Sequence, residues 1–207
     1  MKIKRYLFCL VVILYISSCK TIAISNNEPL DNIVLITGDT LYGKVDYFKE
    51  GYAYSEFYKK IRLTDINGRK KRFKRKKVLS YSVNGYEYES FMLALETKLF
   101  KNGRLFDSKY YIDKNGNQHF LKVKSKGKLS HYELEWIDRD NNDLESSALI
   151  KKTEHDFFIP AENGLSRVLK KVVIDYLSDC PEIQKKITKK DFKYVFQVVD
   201  FYHENCE

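Results

Sequence analysis

Hydrophobic positions along this 207-residue chain fall into three regimes. Residues 6–16 form one continuous uncharged run, residues 30–160 alternate or cluster in short runs, and the positions after 164 recur at helical spacing. The middle regime predicts strands. Ile33-Val34-Leu35-Ile36-Thr37 is a short apolar run, and Leu41 to Tyr47 and Lys60 to Thr64 alternate. Val78 to Val83 and Tyr86-Glu87-Tyr88 flank an Asn-Gly pair, whereas Phe91 to Phe106 fits either strands or a short helix. Asn117 to Lys124 and Leu129 to Ile137 predict a hairpin around Lys126-Gly127-Lys128. In it Tyr132, Leu134 and Trp136 share one face, and His131, Glu133 and Glu135 the other. Ala148-Leu149-Ile150 and Phe157-Phe158-Ile159 extend the pattern to Pro160.

Five of the nine glycines follow Asn, at 67–68, 84–85, 102–103, 115–116 and 163–164. Asn-Gly favours type I′ hairpin turns, whose two central residues both need positive φ. Beyond the last pair, Leu165, Val168, Leu169, Val172, Val173, Tyr176 and Leu177 make an apolar helical stripe. Pro181 is placed to open a new turn with Glu182 in it, and Asp191 to start a helix striped by Phe192, Val195, Phe196, Val199 and Tyr202. The expectation is an α+β fold: an antiparallel β meander over 30–160, then a helical hairpin over 161–207 packed on the sheet.

The amino terminus reads as an address. Lys2, Lys4 and Arg5 precede the uncharged run, and Ser17-Ser18 follow it, as in a secretory signal peptide over 1–18. The run falls short of the ~20 apolar residues that span a bilayer. Ile16-Ser17-Ser18-Cys19 resembles the bacterial lipobox, which implies cleavage before Cys19 and lipidation of it, with 19–29 as the lipidated terminus and linker. Two acyl chains suffice for stable anchoring where one does not.

That address leaves Cys180 and Cys206 as the pair in an oxidising compartment, 26 positions apart. They predict one disulfide, and no Cys-x-x-Cys or His-x₃₋₅-His spacing offers a metal site instead. Charge is recast as well. Losing the three basic residues of 1–18 lowers the net charge from +9 to +6, and eight of the remaining basic residues lie at 69–77. Outside that run the mature chain is −2. Codon bias explains the abundance of Lys but not this concentration.

Several segments taken together resemble a group of uncharacterised secreted proteins and lipoproteins of Bacteroidetes, especially flavobacteria. They are the signal with its Cys, Gly38 to Val45, Tyr86 to Ser90, the hairpin from Gly127 to Tyr132, and Leu177 to Ile183. The resemblance implies a compartment and a domain extent, but no activity. In such lipoproteins acidic residues after the Cys accompany export to the outer face. Lys20-Thr21-Ile22-Ala23 has none, which implies an outer-membrane lipoprotein facing the periplasm. Separately, Gly38 to Asp46 followed by Ile61 to Asp65 is similar to the first strands of small SH3-like barrels, in which a Gly permits a strong bend.

Candidate chemistry centres on Arg69, Lys70, Lys71, Arg72, Lys74, Arg75, Lys76 and Lys77, interrupted only by Phe73. Alternation puts Lys70, Arg72, Lys74 and Lys76 on one face and Lys71, Phe73, Arg75 and Lys77 on the other. Both faces cannot be core, so this is an edge strand or projecting ribbon. Its charges serve either to block sheet-to-sheet association or to bind anionic lipid, lipopolysaccharide or another envelope polyanion. Nucleic acid is not an expected partner of an envelope protein; an envelope protein is. The chain has no Gly-x-Ser-x-Gly, His-Glu-x-x-His or phosphate-loop motif. His119, His131, His155 and His203 are scattered, and Asp138 to Asp143 lacks the Gly and Glu of a calcium loop. No catalytic residue, metal or cofactor is assigned. The reading is a lipid-anchored envelope protein serving as a binding or scaffold module. The alternative is an envelope hydrolase with an unrecognised carboxylate site.

Overall fold

A computed structural model describes residues 30–46, 60–101, 104–138, 140, 143–163, 167–189 and 191–206. The signal-like segment and Cys19 therefore lie outside the described residues. Strands β1 (Asp31–Leu35), β2 (Thr40–Val45), β3 (Lys60–Asp65) and β4 (Lys70–Lys74) follow one another as an antiparallel meander. A 3-10 turn at Arg75–Lys77 then returns the chain, so that β5 (Val78–Val83) pairs with the free side of β1. Asn84-Gly85 makes the next turn with φ of 50° and 78°, the paired positive values of a type I′ hairpin. The Asn67-Gly68 turn works differently. Only Gly68 has positive φ, and Asp65 Oδ1 accepts the Asn67 and Arg69 N–H groups.

Beyond that turn runs β6 (Tyr86–Lys101), followed by β7 (Arg104–Ile112), β8 (Asn117–Ser125), β9 (Leu129–Ile137), β10 (Leu144–Lys152) and β11 (Phe157–Pro160). Among the described residues β1 to β11 make one antiparallel sheet, ordered β4-β3-β2-β1-β5-β6-β7-β11-β10-β9-β8, and β8 returns to pair with β6. Strands β6 to β11 thus close a six-stranded barrel, and β1 to β5 form a wing on it. Residues 38–46 and 60–65 lie in the wing, while this closure falls in the middle of the chain.

Two apolar layers follow from the alternation. Leu93, Leu121, Tyr132, Leu149 and Phe158 fill the barrel interior, where the rings of Phe91, Tyr132 and Phe158 meet edge to face at 5.0–5.5 Å. Tyr132 and Leu134 point inward as expected, but Trp136 is 43% exposed. On the outer wall, Leu129, Ala148, Ile150 and Ile159 carry the C-terminal helices. The wing has its own cluster of Ile33, Val45, Ile61, Leu63, Val78, Tyr81, Val83, Tyr88 and Phe120.

Three short helices stand where two were expected: α1 (Lys170–Tyr176), α2 (Pro181–Thr188) and α3 (Val195–Asn205). Val168 and Leu169, in the first half of the expected stripe, are not helical. Arg167–Val168 (β13) pairs instead with Glu162–Asn163 (β12), and the Leu169 N–H donates to Ala161 O, so α1 begins only at Lys170. Pro181 opens α2 at its first position, with Glu182 in the first turn. In α3 the inward side is Val195, Val198, Val199 and Tyr202, whereas Phe196 is 52% exposed. No helix among the described residues is long and apolar enough to cross a membrane.

His131 is buried on the outer wall of β9, beneath α3, and neither ring nitrogen has a hydrogen-bond partner among the described residues. Burial holds its imidazole down at about 4, with Lys124 adding to the fall and Glu133 and Asp200 opposing it. The folded protein therefore binds fewer protons than the unfolded chain between about pH 4 and 6.5. Stability falls as pH drops through that window, by roughly 3 kcal/mol in total. Denaturant unfolding of wild type and His131→Leu across this range is expected to show that slope in wild type and its loss in the variant.

Candidate functional site

The basic run sits at the end of the sheet. Among the described residues β4 pairs only with β3, in the register Lys60↔Lys74, Ile61↔Phe73, Arg62↔Arg72, Leu63↔Lys71 and Thr64↔Lys70. Directly opposed residues share a face. Ile61, Leu63 and Phe73 therefore pack into the wing cluster, while Lys60, Arg62, Lys70, Arg72 and Lys74 stand together on the exposed face. Two of the rows set like charges directly opposite one another, Lys60 against Lys74 and Arg62 against Arg72. None of these five cations has an acidic partner among the described residues. Lys60 and Arg62 belong to this face although they stand outside the basic run, a feature legible only once the β3–β4 register is known.

The rest of the run does not join the ladder. Strand geometry stops at Lys74, so the expected alternation ends there, and Lys76 and Lys77 lie exposed in the 3-10 turn. Lys71 turns to Asp65 at 3.3 Å. The Arg69 N–H, with the Lys71 ammonium, holds that carboxyl below its ordinary value. Arg75 is a structural residue. Its guanidinium donates to Gln118 O and lies 5.7 Å from the Phe120 ring centroid, while Gln118 Nε2 donates to Arg75 O at 3.0 Å. This exchange ties the wing to β8.

A second polar cluster was not singled out from the sequence. Lys152, only 6% exposed, ends β10 and places its ammonium 2.6 Å from Asp179. Tyr202 OH donates to Asp179 Oδ2 at 2.8 Å, and the ring centroids of Tyr176 and Tyr202 lie 5.6 and 5.8 Å from the ammonium. Tyr176 OH accepts the Lys152 N–H and meets His155 Nδ1, both at 2.9 Å. Burial would raise the Asp179 carboxyl, but Lys152 and Tyr202 outweigh it and hold the group below its ordinary value. Burial pushes the Tyr176 phenol up to about 12. Next to Asp179, Cys180 bonds to Cys206 across a Cα separation of 5.6 Å, forming the expected disulfide. Cluster and disulfide together clamp α1, α2 and α3 to the end of β10. The signal for Lys152 was its phase: it continues the outward face of Ala148 and Ile150, whereas Lys151 does not.

Other acids are similarly engaged. Lys122 lies 3.6 Å from Glu135 and 3.9 Å from Glu133, Lys124 3.2 Å from Glu133, and Lys126 2.6 Å from Glu89. Tyr88 and Tyr132 donate to Glu135 and Glu89. Asp31 accepts the N–H groups of Val45 and Asn84, joining β1, β2 and the β5–β6 turn. Glu162, pushed up by burial, accepts the Ala148 N–H at 2.8 Å. Glu96 and Asp107 border a depression of only ≈ 10 Å³, where Glu96 pairs with Lys98 at 2.8 Å. His203 Nε2 donates to Leu129 O at 2.8 Å, with Gly127 leaving room for its ring.

Two stability measurements separate these clusters. Asp179→Ala leaves the Lys152 ammonium unpaired and costs on the order of 3 kcal/mol in chemical denaturation, whereas Asp179→Asn costs less because it keeps an acceptor for Lys152 and Tyr202. Arg72→Thr removes a like-charge pair, so its melting temperature rises at low salt, by up to about 1 kcal/mol in stability, and the gain fades as salt screens it. No family model, curated protein or solved structure matches the chain.

Proposed function

We propose that this protein is a lipid-anchored component of a bacterial envelope whose folded part serves as a binding or scaffold module, as its likeness to Bacteroidetes lipoproteins suggests. The observation that carries the reading is the wing. Its strand order, β5-β1-β2-β3-β4 with a 3-10 turn before the last strand in sequence, is similar to that of SH3-like barrels, folds whose work is recognition, and supports the reading. Gly43 supports the likeness, because a Cβ there would lie 2.3 Å from Thr64 O where β2 crosses close to β3. The Cys180–Cys206 disulfide suits an oxidising envelope compartment. Carboxylates paired to lysines, tyrosines and backbone N–H groups favour binding over hydrolysis.

The anchor is tested by metabolic labelling with radioactive palmitate in a bacterial host with a lipoprotein pathway. The wild-type chain is expected to take up label, and Cys19→Ser to take up none. Label retained by Cys19→Ser, or absent from wild type, overturns the anchor.

A further inference from the structure

We propose that the five-cation ladder on β3 and β4 is a membrane-facing surface, which sits on the anionic phospholipid headgroups of the bilayer that holds the anchor. The inference rests on the lipoprotein reading and adds the partner and the orientation.

Three observations converge on it. First, the ladder is a plane. Lys60, Arg62, Lys70, Arg72 and Lys74 come from two adjacent strands, with neighbouring side chains about 5 Å apart across the pair. The side chains beneath, Ile61, Leu63 and Phe73, are packed into the wing cluster, so all five cations point away from it. Opposed like charges repel in water, and a layer of phosphates removes that repulsion.

Second, the chain enters the sheet beside the ladder. Asp31 lies in the row Asp31–Gly43–Asp65, and the next row contains Thr64 and Lys70. β1 and β4 are three strand spacings apart, roughly 14 Å. Eleven residues, 20–30, separate Cys19 from Asp31, and fully extended they span no more than about 40 Å. A lipid on Cys19 keeps Asp31 within that reach of the bilayer, and the Lys70 end of the ladder within roughly 14 Å more.

Third, the rest of the same face suits an interface. Tyr42 of β2 shares the outward face with Lys44 and is 57% exposed, and Ile66, in the turn beside Lys70, is 69% exposed. An amphipathic ring and an aliphatic group beside cations match the headgroup level of a bilayer. Lys44 is not counted in the ladder, because its ammonium turns to Asn84 Oδ1 at 3.3 Å and Asp31 at 3.9 Å. Lipid attachment alone does not need this face, and the face alone does not need the lipid. Together they supply a second signal that fixes orientation.

The test uses the chain from residue 19 onward, as signal cleavage leaves it, with Cys19→Ser in place of the anchor, and vesicles of phosphatidylglycerol and phosphatidylcholine in equal parts. The ladder variant adds Arg62→Gln, Lys70→Gln, Arg72→Gln and Lys74→Gln. A matched variant instead neutralises Lys114, Lys185, Lys189 and Lys193, exposed cations elsewhere, and circular dichroism confirms that each is folded. Each nearby cation contributes about fivefold to binding, so the ladder variant should bind at least about a hundredfold more weakly. The matched variant should change by less than about tenfold, and pure phosphatidylcholine should bind neither. Equal losses in both variants would show attraction by net charge alone and overturn the surface. No binding of the Cys19→Ser parent to the anionic vesicles overturns it too, while palmitate labelling decides the anchor independently.

Discussion

The whole architecture depends on one strand belonging to two sheets. Tyr86 to Glu89 of β6 pair with β5 on one side, and Tyr88 to Leu93 pair with β8 on the other. From Leu93 onward β7 takes the place of β5. Leu93 therefore has a neighbour on each side, Ile112 and Asn117, at the point where the barrel closes. The chain reaches that point through Gly116, where a Cβ would lie 2.4 Å from the Leu93 carbonyl carbon. Only a residue without a side chain lets the β7–β8 turn press against β6, so barrel closure and the attachment of the wing meet at a single crossing.

Charge placement follows from that geometry. On the barrel wall, β8 supplies lysines and β9 supplies glutamates at facing positions, so Lys122 and Lys124 find Glu133 and Glu135. Where the helices cover the wall, the Lys152 ammonium finds Asp179. At the free end of the wing the pattern inverts, and β3 and β4 set cation against cation. Among the described residues, opposite charges neutralise one another where β8, β9 and the helices pack, and like charges stand opposed on the exposed β3–β4 edge. The contrast within one chain is a stronger argument than net charge, which for the full sequence is +9.

Local patterns were legible in the sequence to the extent that their cause was local. Asn84-Gly85, the inward Tyr132 and Leu134, the start of α2 at Pro181 and the Cys180–Cys206 pair each depend on neighbouring residues or on a simple count. Long-range pairing was not legible. At Arg167 and Val168 two local signals competed, the Asn163-Gly164 pair before them and the helical spacing that runs through them, and the pairing with Glu162 and Asn163 that delays α1 prevailed. Phe196 fits a helical stripe but faces outward, and Val198 takes the buried place, a rotation set by what α3 packs on. The same limit governed the candidate site. The run at 69–77 was visible as composition, yet its division into a ladder, an ion pair and a structural Arg75 depended on register.

The wing is not a loosely attached appendage, and this bears on what its edge can do. Phe120 of β8 and Tyr88 of β6, both barrel strands, are members of the wing cluster, and Tyr81 of β5 stacks on Tyr88 at 4.8 Å and meets Phe120 at 5.1 Å. Arg75 and Gln118 bind each other across the same seam, and Gln118 Nε2 also donates to Ser90 Oγ at 2.6 Å. Asp31, buried at the start of β1, fixes β2 and the β5–β6 turn with its two oxygens. The base from which β3 and β4 extend is therefore held by packing and by paired polar groups. Cations presented on strands of a rigid base lose less backbone freedom on meeting a surface than the same residues in a mobile tail. A tail can place eight charges anywhere within its reach. The ladder sets five on one plane, in a fixed relation to the point where the chain enters the sheet, and this geometry turns an excess of charge into an orientation.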